Sequence, residues 1–244
     1  MIKQFWQTMT ALAVLVTAVS GLSLMYLGLS NMSLTPATSY SEWTNLPVTF
    51  PSIWNILRPA ASAGWLVTIV VLVLQILLTG GFYGTLIRTN TGQAASVNTF
   101  MSDALRSFGR LLTWNILWAA IFLLIAAVAR SLPQAALLLT ILAIIVRFVF
   151  LFAETALVGE GRVPMANALR TAAVTLLGRM MQMIPFGVIV IVLSGLAEKL
   201  FASFPLLRIP TVLAYALAMT WILHMIVARY IYYSNYQSSP ISRD

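Results

Sequence analysis

Cysteine is absent from the 244 residues, which removes disulfides, thiolate chemistry and cysteine metal sites together. The lone histidine, His224, leaves no partner for a histidine-rich zinc site. Charge is nearly as scarce, at 8% of the chain against 60% hydrophobic residues, well away from the soluble norm. The net charge of +8 does not point to nucleic acid, because no run of Lys and Arg makes a phosphate-binding stripe. No cofactor is expected, and the apolar segments use nearly all of the chain, leaving no room for a soluble catalytic domain.

What the chain has in abundance is long apolar runs. They cover about 6–30, 63–87, 111–129, 134–158, 180–197 and 210–233. A run of about 18 or more apolar residues can cross a roughly 30 Å hydrocarbon core as a helix. The fold class expected is therefore all-α: a polytopic membrane helix bundle of about six transmembrane helices, forming a single membrane domain over 1–244. The first run is longer than the apolar region of a signal peptide and lacks an A-x-A cleavage site, so it reads as a retained anchor.

Basic residues set the direction. With the N-terminus in the cytoplasm, Lys3, Arg88, Arg106, Arg110, Arg162, Arg170, Arg179, Arg229 and Arg243 lie inside, and Arg58, Arg130, Lys199 and Arg208 outside. The expected location is a bacterial plasma membrane with both termini cytoplasmic. The segment 31–62 carries Trp43, Phe50 and Trp54, aromatics suited to the outer headgroup level, and Pro51–Leu57 reads as a short interfacial helix opened by proline.

Two cytoplasmic connections share a pattern. In the first, Val97, Phe100, Met101, Ala104, Leu105, Phe108, Leu111 and Leu112 recur with helical period, with Asn98, Ser102, Asp103, Arg106 and Arg110 on other faces. In the second, Pro164 opens a helix whose Met165, Ala168, Leu169, Ala172 and Leu176 line one face, opposite Asn167, Arg170 and Thr175. Both read as helices lying in the inner interface, the first bending into the third span. Ala104-Leu105-Arg106-Ser107 matches Ala168-Leu169-Arg170-Thr171, which suggests repeated hairpins at 63–130 and 134–197. Such repeats occur in transporters, with sites at the repeat interface, and also arise by plain duplication of a stable hairpin. Arg106, Arg110, Arg170 and Arg179 are the expected membrane-surface cations, and anionic membrane lipids the expected partners. A protein partner in the membrane is also considered.

The stretch Arg147-Phe148-Val149-Phe150-Leu151-Phe152-Ala153-Glu154, continuing through Gly159-Glu160-Gly161 to Ala168-Leu169-Arg170-Thr171, resembles a signature of one bacterial superfamily. Its members are six-helix integral membrane proteins of unknown function, similar to the membrane domain of some glycerophosphodiester phosphodiesterases. The closing Arg229-Tyr230-Ile231-Tyr232-Tyr233 is similar to the end of their last span. Thr171 stands one place earlier than the serine of that pattern. The resemblance implies the six-helix layout and carries over no catalytic residue.

Four polar residues inside the runs need a reason. Arg147 falls near the middle of the fourth span, where arginine costs about 2.5–3.5 kcal/mol on insertion scales. It reads either as a substrate contact or as a clamp between helices. Glu154 follows on nearly the same face, but seven residues of helix put it about 10 Å further along the axis, so a bridging group is expected. His224 and Gln75 complete the candidate substrate-binding set, the former also as a proton relay with Glu154, or else as a packing histidine. Asn115 reads as an interhelical partner. Gly80-Gly81-x-x-Gly84 lacks the Lys-Ser/Thr of a phosphate loop and reads as close helix packing, and Pro185-x-Gly187 as a kink in the fifth span. The function expected is non-enzymatic binding, extending to movement, of a lipid or small anionic solute. The alternative is an accessory or scaffold subunit of a larger membrane complex.

Overall fold

The computed structural model describes residues 65–161, 163–203 and 208–238, and within the helices it leaves some side chains, Gln75 among them, outside the description. The first span, the 31–62 segment with its Pro51–Leu57 helix, and Lys3, Arg58, Arg162 and Arg243 lie outside the described residues. The rest is helical, with no strand among the described residues: α1 (Trp65–Asn90), α2 (Val97–Ser131), α3 (Pro133–Val149), α4 (Ala153–Gly159), α5 (Met165–Leu177), α6 (Met180–Ser203) and α7 (Arg208–Ser238).

α1 and α2 form a hairpin whose turn is set locally. Gly92 takes φ +73°, a left-handed conformation that glycine adopts without a steric penalty. Ser96 then caps α2: its Oγ accepts from Thr99 N at 3.2 Å, while Thr99 Oγ1 accepts from Ser96 N at 2.8 Å, a reciprocal capping box with Thr in place of the usual Glu or Gln. The three glycines of α1 lie against α2. A Cβ on Gly84 would fall 2.5 Å from the Cβ and 2.7 Å from Oδ2 of Asp103, and one on Gly80 3.1 Å from Ala104 Cα. The Gly-Gly-x-x-Gly run is thus a surface for close helix approach.

α2 runs unbroken for 35 residues, about 52 Å at the α-helical rise, so the amphipathic segment and the apolar run behind it are one rod. No break in the helix separates the two segments. The buried face also differs in phase from the periodic reading. Asp103 and Ser107 are buried at 3% and 2% exposure, whereas Val97, Met101 and Leu105 face outward. The cause is the glycine surface of α1, which admits the Asp103–Ser107 stripe, together with Arg88, which supplies the carboxylate with its partner.

The second half is more broken. Leu132 and Pro133 turn the chain into α3, and proline suits this first helical position because its missing N–H has no acceptor there. Between α3 and α4 the ladder tightens to i→i−3 bonds, Leu151 N to Phe148 O and Ala153 N to Phe150 O, both 2.9 Å. α4 is a plug: Ala153, Thr155, Ala156, Leu157 and Val158 are all buried, among Leu86, Leu111, Leu176 and Ile226. α5 buries Ala168, Ala172 and Leu176 as its period predicts, but it also buries Thr175, which the pattern places on the opposite face. The main bend comes at Gly178–Arg179, where α5 and the start of α6 meet at 98°. Pro185 lies inside α6 without ending it, and Gly187 lets α6 approach the Phe148 ring of α3, whose Cδ2 would lie 3.0 Å from an added Cβ.

One described stretch, Ile141–Gly159, with a mean hydropathy of 2.4, is by itself long and apolar enough to cross a membrane. The bent pair Met165–Leu177 and Met180–Val190 is a second if taken as one broken span.

Candidate functional site

Two charges meet across the junction between α3 and α4. An unbroken helix would hold Arg147 and Glu154 about 10 Å apart along its axis. With the chain turned at 150–152, Arg147 Nη2 lies 2.5 Å from Glu154 Oε1. The two long side chains close the interval themselves, so the bridging group expected between them is not needed. Arg147 Nη1 donates to Phe150 O at 3.4 Å, so the guanidinium also serves a carbonyl of the break itself.

Aromatic rings from α2 wall the pair. Trp114 Nε1 donates to Glu154 Oε1 at 3.2 Å, and the Arg147 guanidinium carbon lies 5.8 Å from the Trp118 ring centroid, within cation–π range. Trp114 and Trp118 meet edge to face at 5.6 Å, and Phe150 adds an edge contact to Trp114 at 5.3 Å. Tyr83, buried on α1, lies within electrostatic reach of both charges. The rings lower the local dielectric, which strengthens the attraction and raises the penalty for either charge left alone. Arg147 retains 34% side-chain exposure against 12% for Glu154.

A layer of arginines occupies the α1–α2 turn end of the bundle. Arg88 grips Asp103 with both prongs, Nε to Oδ2 at 2.6 Å and Nη2 to Oδ1 at 3.0 Å, the bidentate geometry that is the strongest of the charge-assisted pairings. The hydrogen bond to Asp103 raises the Arg88 pKa further above its ordinary value. Arg106 reaches the same carboxylate at 3.7 Å and donates to Val158 O at 3.2 Å. Arg110 donates to Leu157 O at 2.9 Å, Glu160 O at 2.8 Å and Val163 O at 3.0 Å. These carbonyls close α4, where the last turn lacks intrahelical donors and the helix dipole favours a cation. Burial lowers the Arg110 pKa somewhat, from a value high enough that it stays charged. Arg110 is thus spent on the fold, and Arg106 partly so. Arg170 and Arg179 are exposed.

α7 stitches the layer together. Tyr230 donates to the Glu160 carboxylate. Tyr233 donates to Gln182 Oε1 at 2.6 Å, while Arg179 lies over the Tyr233 ring at 5.6 Å and Arg229 Nη1 reaches its hydroxyl at 3.4 Å. His224 is held elsewhere, with its Nδ1 3.2 Å from Nδ2 of Asn90 at the end of α1. Of the four residues expected to bind substrate, the structure joins Arg147 to Glu154 and His224 to Asn90. Asn115 turns back on its own helix, donating to Leu111 O at 2.8 Å.

Asp103, Trp114, Trp118, Glu160 and Tyr233 carry this architecture and were not singled out by pattern. The four-residue spacing of Trp114 and Trp118 on one helical face was the available signal for the aromatic wall. Among the described residues no group of His, Asp and Glu is arranged to hold a metal. Compared with protein-family models, curated proteins and solved structures, the chain matches none.

Proposed function

We propose that this chain is a polytopic protein of a bacterial plasma membrane, with the arginine-rich end facing the cytoplasm, and that it binds an anionic lipid or small anionic solute there without catalysing a reaction. The observation that carries the proposal is a juxtaposition. Apolar side chains stay exposed along the helices, including Leu124 on α2, Leu138, Ile141, Leu142 and Ile145 on α3, and Val188, Val192 and Leu196 on α6. The same bundle ends in a layer of arginines that outnumber the carboxylates beside them. Apolar flanks ending in a cationic rim match a bilayer leaflet, in which basic residues near the cytoplasmic surface meet anionic headgroups. The resemblance to the six-helix superfamily agrees with this layout. Movement of the bound species is the extended form of the proposal, with the α3–α4 break as the element that rearranges.

A specific observation favours the second function, an accessory or scaffold subunit. The intramembrane charge of Arg147 is already met by Glu154 within the chain, which suits a clamp. Native mass spectrometry of the protein released gently from its own membrane separates the two. A stoichiometric lipid or small anion supports the binding function. A second protein at fixed stoichiometry, with no small molecule retained, assigns the accessory role instead.

A further inference from the structure

Resting on the binding function above, we propose that Arg179 and Arg229, converging on Tyr233, form the site for the phosphate of an anionic lipid headgroup. Tyr233 is the fixed post of this site. It is 5% exposed, and its hydroxyl donates to Gln182 on α6, so the ring is pinned between α7 and the start of α6. Arg179 sits in the 98° bend between α5 and α6 and approaches the ring. Arg229, one turn before Tyr233 on α7, approaches the hydroxyl. Two cations from separate elements therefore meet one buried, hydrogen-bonded side chain.

Neither arginine is paired with a carboxylate among the described residues. The acids whose side chains are described are engaged elsewhere: Asp103 by Arg88 and Arg106, Glu154 by Arg147, and Glu160 by the Tyr230 hydroxyl. Like charges brought together repel, and a bound anion turns that repulsion into attraction. Each guanidinium carries five donors. The contacts to Tyr233 occupy a ring face and one Nη1, and both side chains are exposed, so planar forks remain for phosphate oxygens.

The surroundings favour a lipid over a free phosphate. Beside Arg179, Leu177 is 55% and Met181 82% exposed, with Met180 also open. A phosphate ion gains nothing from such a shoulder, whereas a headgroup seated on the arginines would lay its acyl chains along it.

The test uses the full chain in nanodiscs containing phosphatidylglycerol and phosphatidylcholine, followed by native mass spectrometry. Wild type and Lys199→Gln, which removes an exposed charge elsewhere on α6, should each retain one phosphatidylglycerol. R179Q/R229Q should retain about tenfold less, as expected when charge-assisted contacts worth about 1.4 kcal/mol are lost, and phosphatidylcholine should not be retained. If R179Q/R229Q is poorly folded, R179K/R229K keeps the charges and loses the forks, and should show intermediate retention. Equal phosphatidylglycerol retention by wild type and either double variant overturns this site while leaving the broader binding function standing. Binding of inorganic phosphate with no lipid retained overturns the lipid assignment. A wild-type chain that retains neither overturns the binding function itself.

Discussion

Arg147 and Glu154 are seven residues apart and touch, with 2.5 Å between Nη2 and Oε1, across the tightened turn at 150–152. The contact ties the end of α3 to the start of α4, and Trp114 and Trp118 extend the tie to α2. The ion pair thereby pins α4, a short helix buried on every side chain from Thr155 to Val158, in the core.

The first prediction concerns that pin. Arg147→Leu should destabilise the protein by about 2–4 kcal/mol, below the full range for a buried pair because Arg147 is partly exposed. Most of this cost comes from stranding Glu154, so R147L/E154L should recover to within about 1 kcal/mol of wild type. Thermal unfolding in mild detergent measures both. A double variant no better than Arg147→Leu would show that Glu154 does not depend on the pair. A double variant that folds normally yet loses lipid-dependent stabilisation would make Arg147 a ligand contact as well.

Much of this was legible in the sequence, and the misses have physical causes. Arg147 stands out by composition, but the stretch Phe148-Val149-Phe150-Leu151-Phe152-Ala153 contains neither proline nor glycine, so nothing local announces the break. The signal lies in tertiary packing: Phe152 is fully buried with its ring tilted against Tyr230, centroids 5.2 Å apart. The period of α2 is plain in the sequence, while its phase is not, because the pattern sets Asp103 apart from the apolar face and the structure buries it. Its partner, Arg88, lies on another helix, and pairing across helices leaves no mark on the period of either. The second amphipathic helix was read more accurately because its buried face is almost wholly apolar.

A second prediction separates two glycines that composition alone treats alike. Gly84→Ala should be destabilising by about 1–3 kcal/mol, the usual cost of overpacking, because its Cβ would meet Asp103. Gly109→Ala should be stabilising by about 0.5–1 kcal/mol, since an added Cβ there meets nothing within 4 Å. Denaturation midpoints of the two variants give the answer. A loss of stability in Gly109→Ala would show that α2 has to flex at its junction.

Arg110 offers a third. Arg110→Met keeps much of the side chain's bulk and removes the donors to Leu157, Glu160 and Val163 carbonyls. Losing hydrogen bonds from a charged donor to these part-buried and exposed carbonyls costs about 1–3 kcal/mol, and the loss should concentrate in α4. Hydrogen exchange should accelerate across 153–163 with little change in the first turns of α6. Uniform acceleration throughout the bundle would mean that α4 opens only with the whole fold.

The last prediction decides the role of His224. Its Nδ1 meets the Asn90 amide, which also donates to Leu86 O at 2.9 Å, so the imidazole has a structural use at the α1–α7 contact. His224→Gln preserves a hydrogen-bonding group at that position and should leave stability within about 1 kcal/mol of wild type, whereas His224→Leu removes one hydrogen bond, worth about 0.5–1.5 kcal/mol. Lipid retention should be unchanged in both, because the site at Tyr233 does not involve the imidazole. Loss of a bound ligand in His224→Gln, with the melting temperature intact, would return the histidine to the binding set. A stability loss confined to His224→Leu would make it a packing residue whose polarity serves Asn90.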